Sequence, residues 1–248
     1  MAIAVIAFIA LRGGNPPKPV PTPTGASAAQ IISQLTTIPA SELDAVGGGT
    51  ADKSKFAAIT GRPALTESGK PEVLYLGAEY CPYCAAERWA LIVALSRFGT
   101  LSGLDFMTSS SSDAFADTPT WTFRHATFAG SDIAFVGVEE ADRAGNPLQQ
   151  PTSAQAAIAN QYGGGTIPFI DFGNRLYLNG ANYFPQDLQG LSWQQIADAL
   201  QQPTTSQAKE ILGSANYLTA AICRAAGDGP AVCSDAVVKQ LEAELPRS

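Results

Sequence analysis

The sequence predicts an α/β fold, and two short regions carry most of that prediction. An apolar run at residues 72–77 is typical of a buried strand, and apolar residues recur at helical spacing over 85–98. Later, two short apolar runs at 169–172 and 175–178 flank Gly173-Asn174, a dipeptide typical of β-hairpin turns. Strand–helix and strand–turn–strand units in one chain indicate a mixed α/β domain.

The same patterns predict the remaining elements. The stretch from 47 to 70 is expected to be loop-like. The other expected helices are 26–35, a short turn or helix at 39–43, 154–162, 191–200, 206–226 and a last one ending near 245, and the other expected strands are 104–107, 121–128 and 133–138.

Composition limits the function classes. Of the 248 residues, 46% are hydrophobic and 15% are charged, so the chain can bury a sizeable core. The net charge is −7 and the 15 Lys and Arg residues form no basic patch, which argues against nucleic acid as a partner. The single histidine, His125, has no partner residues near it in the sequence, so we expect a surface or packing residue rather than a metal ligand.

The first 25 residues divide into two parts. Residues 1–11 are a signal-like apolar run, shorter than the roughly 20 residues that span a bilayer. Residues 12–25 contain five prolines and are expected to form an extended linker. A buried strand is the alternative for the apolar run, but a strand feeding such a linker would be unusual. We therefore expect a partial membrane anchor.

Cys81-Pro82-Tyr83-Cys84 lies at the predicted junction between strand and helix. The thiolate is the reactive form of cysteine, and unpaired N–H groups at a helix N-terminus stabilise it. If Cys81 is the N-cap, Pro82 takes the first helical position, which suits proline. We therefore predict that Cys81 is the exposed, activated thiol and that Cys84 is the more buried resolving thiol of a reversible disulfide.

Two other roles are open for this motif. It could be half of a zinc site, but the other half would be Cys223 and Cys233, which are separated by nine residues rather than the usual two to four. It could also be a purely structural disulfide, although so small a loop rarely constrains the chain.

The ordered combination of strand, Cys81-Pro82-Tyr83-Cys84, helix, Thr166-Ile167-Pro168, hairpin and final helix resembles the thioredoxin superfamily. The tetrad looks like that of glutaredoxins. Its context, residues 77–89, is similar to an uncharacterised family of predicted membrane-anchored thioredoxin-like proteins. The resemblance covers roughly residues 70–201. It implies a thioredoxin-like fold and a cis peptide between Ile167 and Pro168 facing the cysteines. It also implies that a substrate chain binds through Thr166, Ile167 and Pro168, beside Pro82 and Tyr83. A trans proline opening a strand is the alternative.

The chain departs from the thioredoxin pattern in two ways. Pro168 lies 84 positions after Cys84, which implies an insertion at about 109–163. Tyr75 stands where thioredoxins carry a buried acid, so another proton acceptor is needed. Glu79 and Glu87 are the nearest acids and the candidates for proton transfer, although such acids more often face solvent.

Cys223 and Cys233 bracket the turn between the two C-terminal helices. We expect a structural disulfide, worth roughly 2–3 kcal/mol for a loop of this size. An electron relay to the first pair is the alternative. The expected layout is a thioredoxin-like domain at 26–202, including an N-terminal extension, and a C-terminal helical hairpin at 203–248.

Together these features predict a thiol–disulfide oxidoreductase that acts on exported proteins through Cys81 and Cys84. Four cysteines in two pairs favour an oxidising, extracytoplasmic compartment, with the N-terminus in the membrane. The expected partners are protein or peptide thiols and disulfides, and a redox partner that recycles the site; no cofactor or metal is needed. A non-catalytic peptide-binding module is the alternative, and thiol-based metal handling ranks last.

Overall fold

The computed structural model describes residues 20–247. Within this range the chain forms seven α-helices and ten strands. The helices are α1 (Gly25–Thr36), α2 (Ala40–Val46), α3 (Pro82–Ser96), α4 (Ser153–Gly163), α5 (Trp193–Ala199), α6 (Ser206–Ala226) and α7 (Ala236–Glu244). The strands are β1 (Phe56–Ala58), β2 (Thr66–Glu67), β3 (Lys70–Gly77), β4 (Gly99–Ser102), β5 (Asp105–Thr108), β6 (Pro119–Thr122), β7 (Thr127–Gly130), β8 (Ala134–Glu139), β9 (Phe169–Phe172) and β10 (Leu176–Asn179).

The main sheet is built around β3, which has neighbours on both edges. β3 pairs in parallel with β8 and antiparallel with β9, and β10 and β1 extend the sheet beyond β9. In this register Leu74 of β3 lies opposite Val136 of β8 and Asp171 of β9. β3 is buried from Glu72 onward because its two faces and both edges are covered. The mixed sheet and its helices confirm the predicted α/β class.

α3 is buried on nearly every side. Cys81 is its N-cap and Pro82 its first residue, as predicted. Thirteen of its fifteen residues are buried, because α1, α6 and β6 pack around it. The buried residues include Glu87 and Arg88, which helical spacing alone places on faces away from the core.

The strands between α3 and β9 are divided between the main sheet and two small sheets. β4 pairs with β7, and β5 with β6, in two small separate sheets, whereas β8 joins the main sheet. The expected insertion at 109–163 therefore contains a strand of the central sheet. The single strand expected at 121–128 is wrong: the chain turns between β6 and β7, where the Ala126 N–H donates to the Phe123 carbonyl.

The β9–β10 hairpin forms as expected, with one extra residue in its turn. Gly173 and Asn174 adopt positive φ angles of 61° and 55°. The Arg175 N–H closes the turn onto the Phe172 carbonyl at 3.0 Å. Because Phe172 pairs with Leu176, Arg175 is an additional loop residue that the two-residue prediction omitted.

α6 belongs to the core rather than to an appendage. Fourteen of its residues are buried, and it packs along α3 in the same hydrophobic cluster. The expected hairpin at 203–248 therefore shares one core with the preceding residues. Cys223 at the end of α6 is bonded to Cys233 with an S–S distance of 2.00 Å, which confirms the predicted pairing.

Candidate active site

The Cys81–Cys84 motif lies where β3 ends and α3 begins. Cys81 Sγ accepts a hydrogen bond from the Cys84 N–H at 3.2 Å, and the two sulfurs are not bonded to each other. Cys84 is fully buried and Cys81 is 6% exposed. The predicted order of burial is therefore correct, but the expectation of an exposed Cys81 is wrong, because the surrounding side chains leave only a small accessible edge.

The two thiols differ in pKa. The hydrogen bond from the Cys84 thiol lowers the pKa of Cys81, with help from the Cys84 and Tyr83 N–H groups and the Arg88 charge, and against the effect of burial. Burial raises the pKa of Cys84 well above its usual range, and its hydrogen bond to Cys81 raises it further. A lowered pKa at the first thiol and a raised pKa at the second is the order expected of a nucleophile and its resolving partner.

The 166–168 loop lies against the two cysteines. The Ile167–Pro168 peptide is cis, as the resemblance implies. Ile167 packs on the small cluster of Ala78, Cys81 and Cys84. Pro168 is buried and Thr166 is exposed. The structure therefore places Ile167 against the cluster that contains both thiols, and leaves Thr166 open to solvent.

Two grooves flank the cysteine cluster. A groove of about 270 Å³ follows the 166–168 loop and includes Glu140 among its lining residues. A second groove of about 510 Å³ lies between Tyr80, the serine-rich loop at 110–113 and Arg143. Each groove has one lining residue that packs on the cysteine cluster, Ile167 in the first and Tyr80 in the second, although neither cysteine lines them.

Tyr83 is the centre of an aromatic cluster in which Tyr83 and Phe115 are half-buried and Phe184 is exposed. Its ring meets those of Phe115 and Phe184 edge to face, with centroid distances of 5.9 and 6.2 Å. Phe184 is 57% exposed, and it is the one exposed large hydrophobic side chain within residues 20–247. We call Tyr83, Phe115 and Phe184 the aromatic platform. Pro82, in contrast, is buried at the start of α3 and presents little surface to a substrate.

A fully buried ion pair lies next to the cysteines. Arg88 Nε and Nη2 donate to the Glu139 carboxylate at 2.9 and 2.6 Å. Arg88 Nη2 also donates to the Ala78 carbonyl at 2.8 Å. Sequence analysis missed this pair because its members lie on α3 and β8. The available signal was an arginine within an apolar helix, one turn after Cys84.

Tyr75 fills the position where the resemblance implies an acid. It is fully buried, and within residues 20–247 its hydroxyl has no hydrogen-bond partner. Burial raises the pKa of Tyr75 well above its usual range, so the side chain remains a neutral phenol. Gly77 provides the space for it, because a Cβ at that position would collide with the hydroxyl. Tyr75 therefore does not substitute for a buried carboxylate.

The two candidate proton-transfer acids have partners other than the cysteines. Glu79 accepts a hydrogen bond from the Thr122 hydroxyl at 2.7 Å. Glu87 is fully buried and accepts from the Asn182 N–H at 3.2 Å and the Ser214 hydroxyl at 3.3 Å. Burial raises the pKa of Glu87 to about 8. The expectation that both acids face solvent is thus wrong for Glu87, because α6 covers this side of α3.

The remaining candidates lie apart from the thiols. His125 has a 63% exposed side chain and pairs with Asp105 on the surface. The disulfide occupies Cys223 and Cys233, so these residues do not complete a zinc site with the first pair. In the part of the chain that the structure describes, no three His, Cys, Asp or Glu side chains are grouped so that they could hold a metal ion.

A family model described as "Domain of unknown function (DUF929)" matches residues 56–224, which is more than half of the chain. The chain belongs to the DUF929 family. The DUF929 region begins at β1 and ends within α6, so it contains Cys81, Cys84, the 166–168 loop and Cys223, but not Cys233. No curated protein and no solved structure matches the chain.

The expected membrane anchor at 1–11 and most of the expected linker at 12–25 lie outside the described residues. None of the helices within residues 20–247 combines the length and the apolar character needed to cross a membrane.

Proposed function

We propose that this DUF929 protein is a thiol–disulfide oxidoreductase with a thioredoxin-like fold. The observation that carries the proposal is the pair of unlike thiols at the N-terminus of α3, with Ile167 of the cis-proline loop packed against the small cluster that contains them. The sheet around the motif supports the fold assignment. β3 leads into the motif between parallel β8 and antiparallel β9, and the β9–β10 hairpin follows the cis-proline directly.

The proposed reaction is an exchange of two electrons between the enzyme and a substrate disulfide. The Cys81 thiolate attacks one substrate sulfur, a mixed disulfide forms, and the other substrate sulfur leaves as a thiolate. Cys84 then loses its proton and attacks Cys81 Sγ, which releases the second substrate thiolate and leaves a Cys81–Cys84 disulfide. The reverse sequence oxidises a substrate dithiol. Glu79 remains a candidate for receiving the Cys84 proton, whereas Glu87, whose pKa burial raises to about 8, already holds a proton below that pH.

The proposed substrates are extended protein or peptide chains. The groove along the 166–168 loop offers room for an extended backbone, and its lining residue Ile167 packs on the cysteine cluster. The aromatic platform provides an apolar surface on the Tyr83 side. A second protein thiol or disulfide would return the site to its starting state.

We also propose an extracytoplasmic setting, with the N-terminus in the membrane. The buried Cys223–Cys233 disulfide supports it, because structural disulfides persist in oxidising compartments. The apolar run at 1–11 and the prolines at 12–25 support the membrane attachment.

The second candidate function is a non-catalytic peptide-binding module. The burial of Cys81 favours it, because a thiol with only 6% exposure gives a substrate sulfur little access. The two candidates differ in what happens to the Cys81–Cys84 pair. An oxidoreductase cycles it with glutathione or dithiothreitol, whereas a binding module keeps it in one state.

The test is disulfide exchange by the purified protein. We expect the wild type to speed the reduction of insulin by dithiothreitol, and to equilibrate its own dithiol with a glutathione series. Cys81→Ser removes the nucleophile and should reduce the rate to background. Equal rates for the wild type and Cys81→Ser would contradict the proposal, and a pair that never changes state in the glutathione series would establish the binding module instead.

A further inference from the structure

The Arg88–Glu139 pair is an unusual feature of a hydrophobic core. Both side chains are fully buried, on α3 and on β8. A buried ion pair contributes little net stability, because removing two charges from water costs about as much as their attraction returns. Apolar residues of similar volume would hold α3 against β8 equally well. The pair therefore calls for an explanation other than stability.

The pair is connected directly to the turn that presents Cys81. The Ala78 carbonyl accepts the Arg88 Nη2 donor at 2.8 Å and the Cys81 N–H at 3.2 Å. Arg88 also follows Cys84 by four residues and Cys81 by seven, so all three lie on one face of α3. One guanidinium thus orients the backbone before Cys81 and brings a positive charge to the face that carries the thiols.

Glu139 holds the Arg88 guanidinium in place from β8. Its carboxylate binds Arg88 through two oxygens and accepts the Phe123 N–H at 3.1 Å. The short two-point contact is the geometry of an ionised pair. The Arg88 Nη1 atom has no hydrogen-bond partner among the described residues, although it is buried. One donor of the guanidinium is therefore left without a hydrogen bond within residues 20–247.

Other groups near the thiols do not replace Arg88. Tyr75 reaches the same region from β3 but is neutral. Glu79 interacts with Glu139 through its charge, and Glu140 and Asp113 interact with Tyr80 in the same way. All three are acids, so none supplies a positive charge. Among the described groups that act on the thiols, Arg88 is the one that lowers the pKa of both Cys81 and Cys84 by its charge.

We infer that Arg88 and Glu139 are positioning residues that set the redox equilibrium of the Cys81–Cys84 pair, with Arg88 favouring the reduced form and Glu139 opposing it. The inference rests on the proposed dithiol chemistry at Cys81. A positive charge near the thiols stabilises a thiolate but not a disulfide, which carries no charge. Arg88 thereby makes the disulfide easier to reduce, and Glu139 limits the effect.

The test is the equilibrium between the full chain and glutathione, in which two glutathione thiols reduce the Cys81–Cys84 disulfide and become one glutathione disulfide. The variants are Arg88→Met, Arg88→Lys and Glu139→Gln. The Cys81 pKa is followed in parallel by thiolate absorbance, and the folded state of each variant by circular dichroism.

Replacing Arg88 and replacing Glu139 are expected to shift the redox equilibrium in opposite directions. Arg88→Met should lower the equilibrium constant for reduction about tenfold, or about 30 mV towards more negative potential, and raise the Cys81 pKa. Glu139→Gln should shift both quantities the other way. Arg88→Lys keeps the charge but cannot reproduce the two-point contact, so both quantities should lie between those of the wild type and of Arg88→Met.

A merely structural pair gives a different pattern. Loss of packing would shift Arg88→Met and Glu139→Gln in the same direction, and that result would overturn the inference. If Arg88→Met does not fold, the test rests on Glu139→Gln alone. A Cys81 pKa in Glu139→Gln that is equal to or above that of the wild type overturns the inference. A wild-type pair that does not equilibrate with glutathione would instead refute the proposed function.

Discussion

The two cysteine pairs of this chain have different surroundings. Cys223 and Cys233 are both buried and bonded to each other, and they join the end of α6 to the short helical turn Ala231–Ser234. Cys81 and Cys84 are unbonded, share a helix N-terminus, and have pKa values displaced in opposite directions. One pair closes a turn between packed elements, whereas the other is held where a thiolate is stabilised.

The difference shows that cysteine spacing is less informative than the element on which the cysteines lie. A helix N-terminus supplies free N–H groups and a favourable dipole, and α3 directs them at Cys81. Cys223 lies near the opposite end of a helix, where carbonyl groups predominate and a thiolate gains nothing. Reactivity is therefore expected at the first pair and structural constraint at the second.

The largest expected effect is on exchange activity, which should depend on the first cysteine pair and not on the second. Cys84→Ser removes the resolving thiol, so turnover should fall by about 100-fold or more, and Cys81 should accumulate as a mixed disulfide with the substrate. The matched control, Cys223→Ser with Cys233→Ser, should keep nearly full exchange activity. Mass spectrometry of the trapped adduct and the insulin assay measure the two results. Loss of activity in the control would support an electron relay between the pairs.

The next effect concerns Glu87, which links the helices that carry the two pairs. Its folded-state pKa of about 8 lies above the ordinary 4.5, so the folded chain keeps a proton that the unfolded chain releases. Its contribution to stability is therefore complete below about pH 4.5 and is lost as the pH rises to about 8. The upper limit is roughly 4–5 kcal/mol.

Glu87→Gln should remove most of this pH dependence, because the amide is neutral and can still accept from Asn182. Urea unfolding at pH 5 and pH 8 measures the difference. We expect the wild type to lose about 2–4 kcal/mol more than the variant between these values. Asp171, whose pKa burial raises to about 7, leaves some slope in both proteins. Parallel slopes would show that Glu87 is ionised in the fold.

Removing the second disulfide should affect stability alone. Cys223→Ser with Cys233→Ser is expected to lower the free energy of unfolding by about 2–3 kcal/mol, since the closed loop is short. Thermal and urea unfolding measure the change, and the Cys81 pKa serves as the control that should not move. A shift in that pKa would mean that the two pairs communicate through α6 and α3.

The smallest effect tests the aromatic platform. Phe184→Ala should lower kcat/KM for peptide substrates by about 3–10-fold, because an exposed aromatic ring contributes about 1 kcal/mol to an apolar contact. Exchange with glutathione should be unchanged, since so small a thiol does not reach the platform. Phe128→Ala, which truncates a half-buried phenylalanine outside the site, is the control for the loss of an aromatic ring. Equal losses of kcat/KM for the peptide and for glutathione would show that the platform does not bind the peptide.

Local signals predicted the parts of the structure that depend on local chemistry. The N-cap role of Cys81, the hairpin and the second disulfide each involve residues close together in the sequence, and the structure has all three, with one more residue in the hairpin turn than predicted. Non-local packing was not predictable. Glu87 is buried because α6 covers it, and Arg88 has its partner on β8, 51 residues away. The aromatic platform likewise joins three separate segments.

The most direct test is alkylation of the reduced protein by iodoacetamide across a pH series, with the modified cysteine located by mass spectrometry. We predict that Cys81 reacts first, with an apparent pKa below the 8.5 of an ordinary thiol, and that Cys84 stays unmodified over the same range. Reaction at Cys84 before Cys81, or no reaction at Cys81 until above pH 9, would contradict the assignment of Cys81 as the nucleophile.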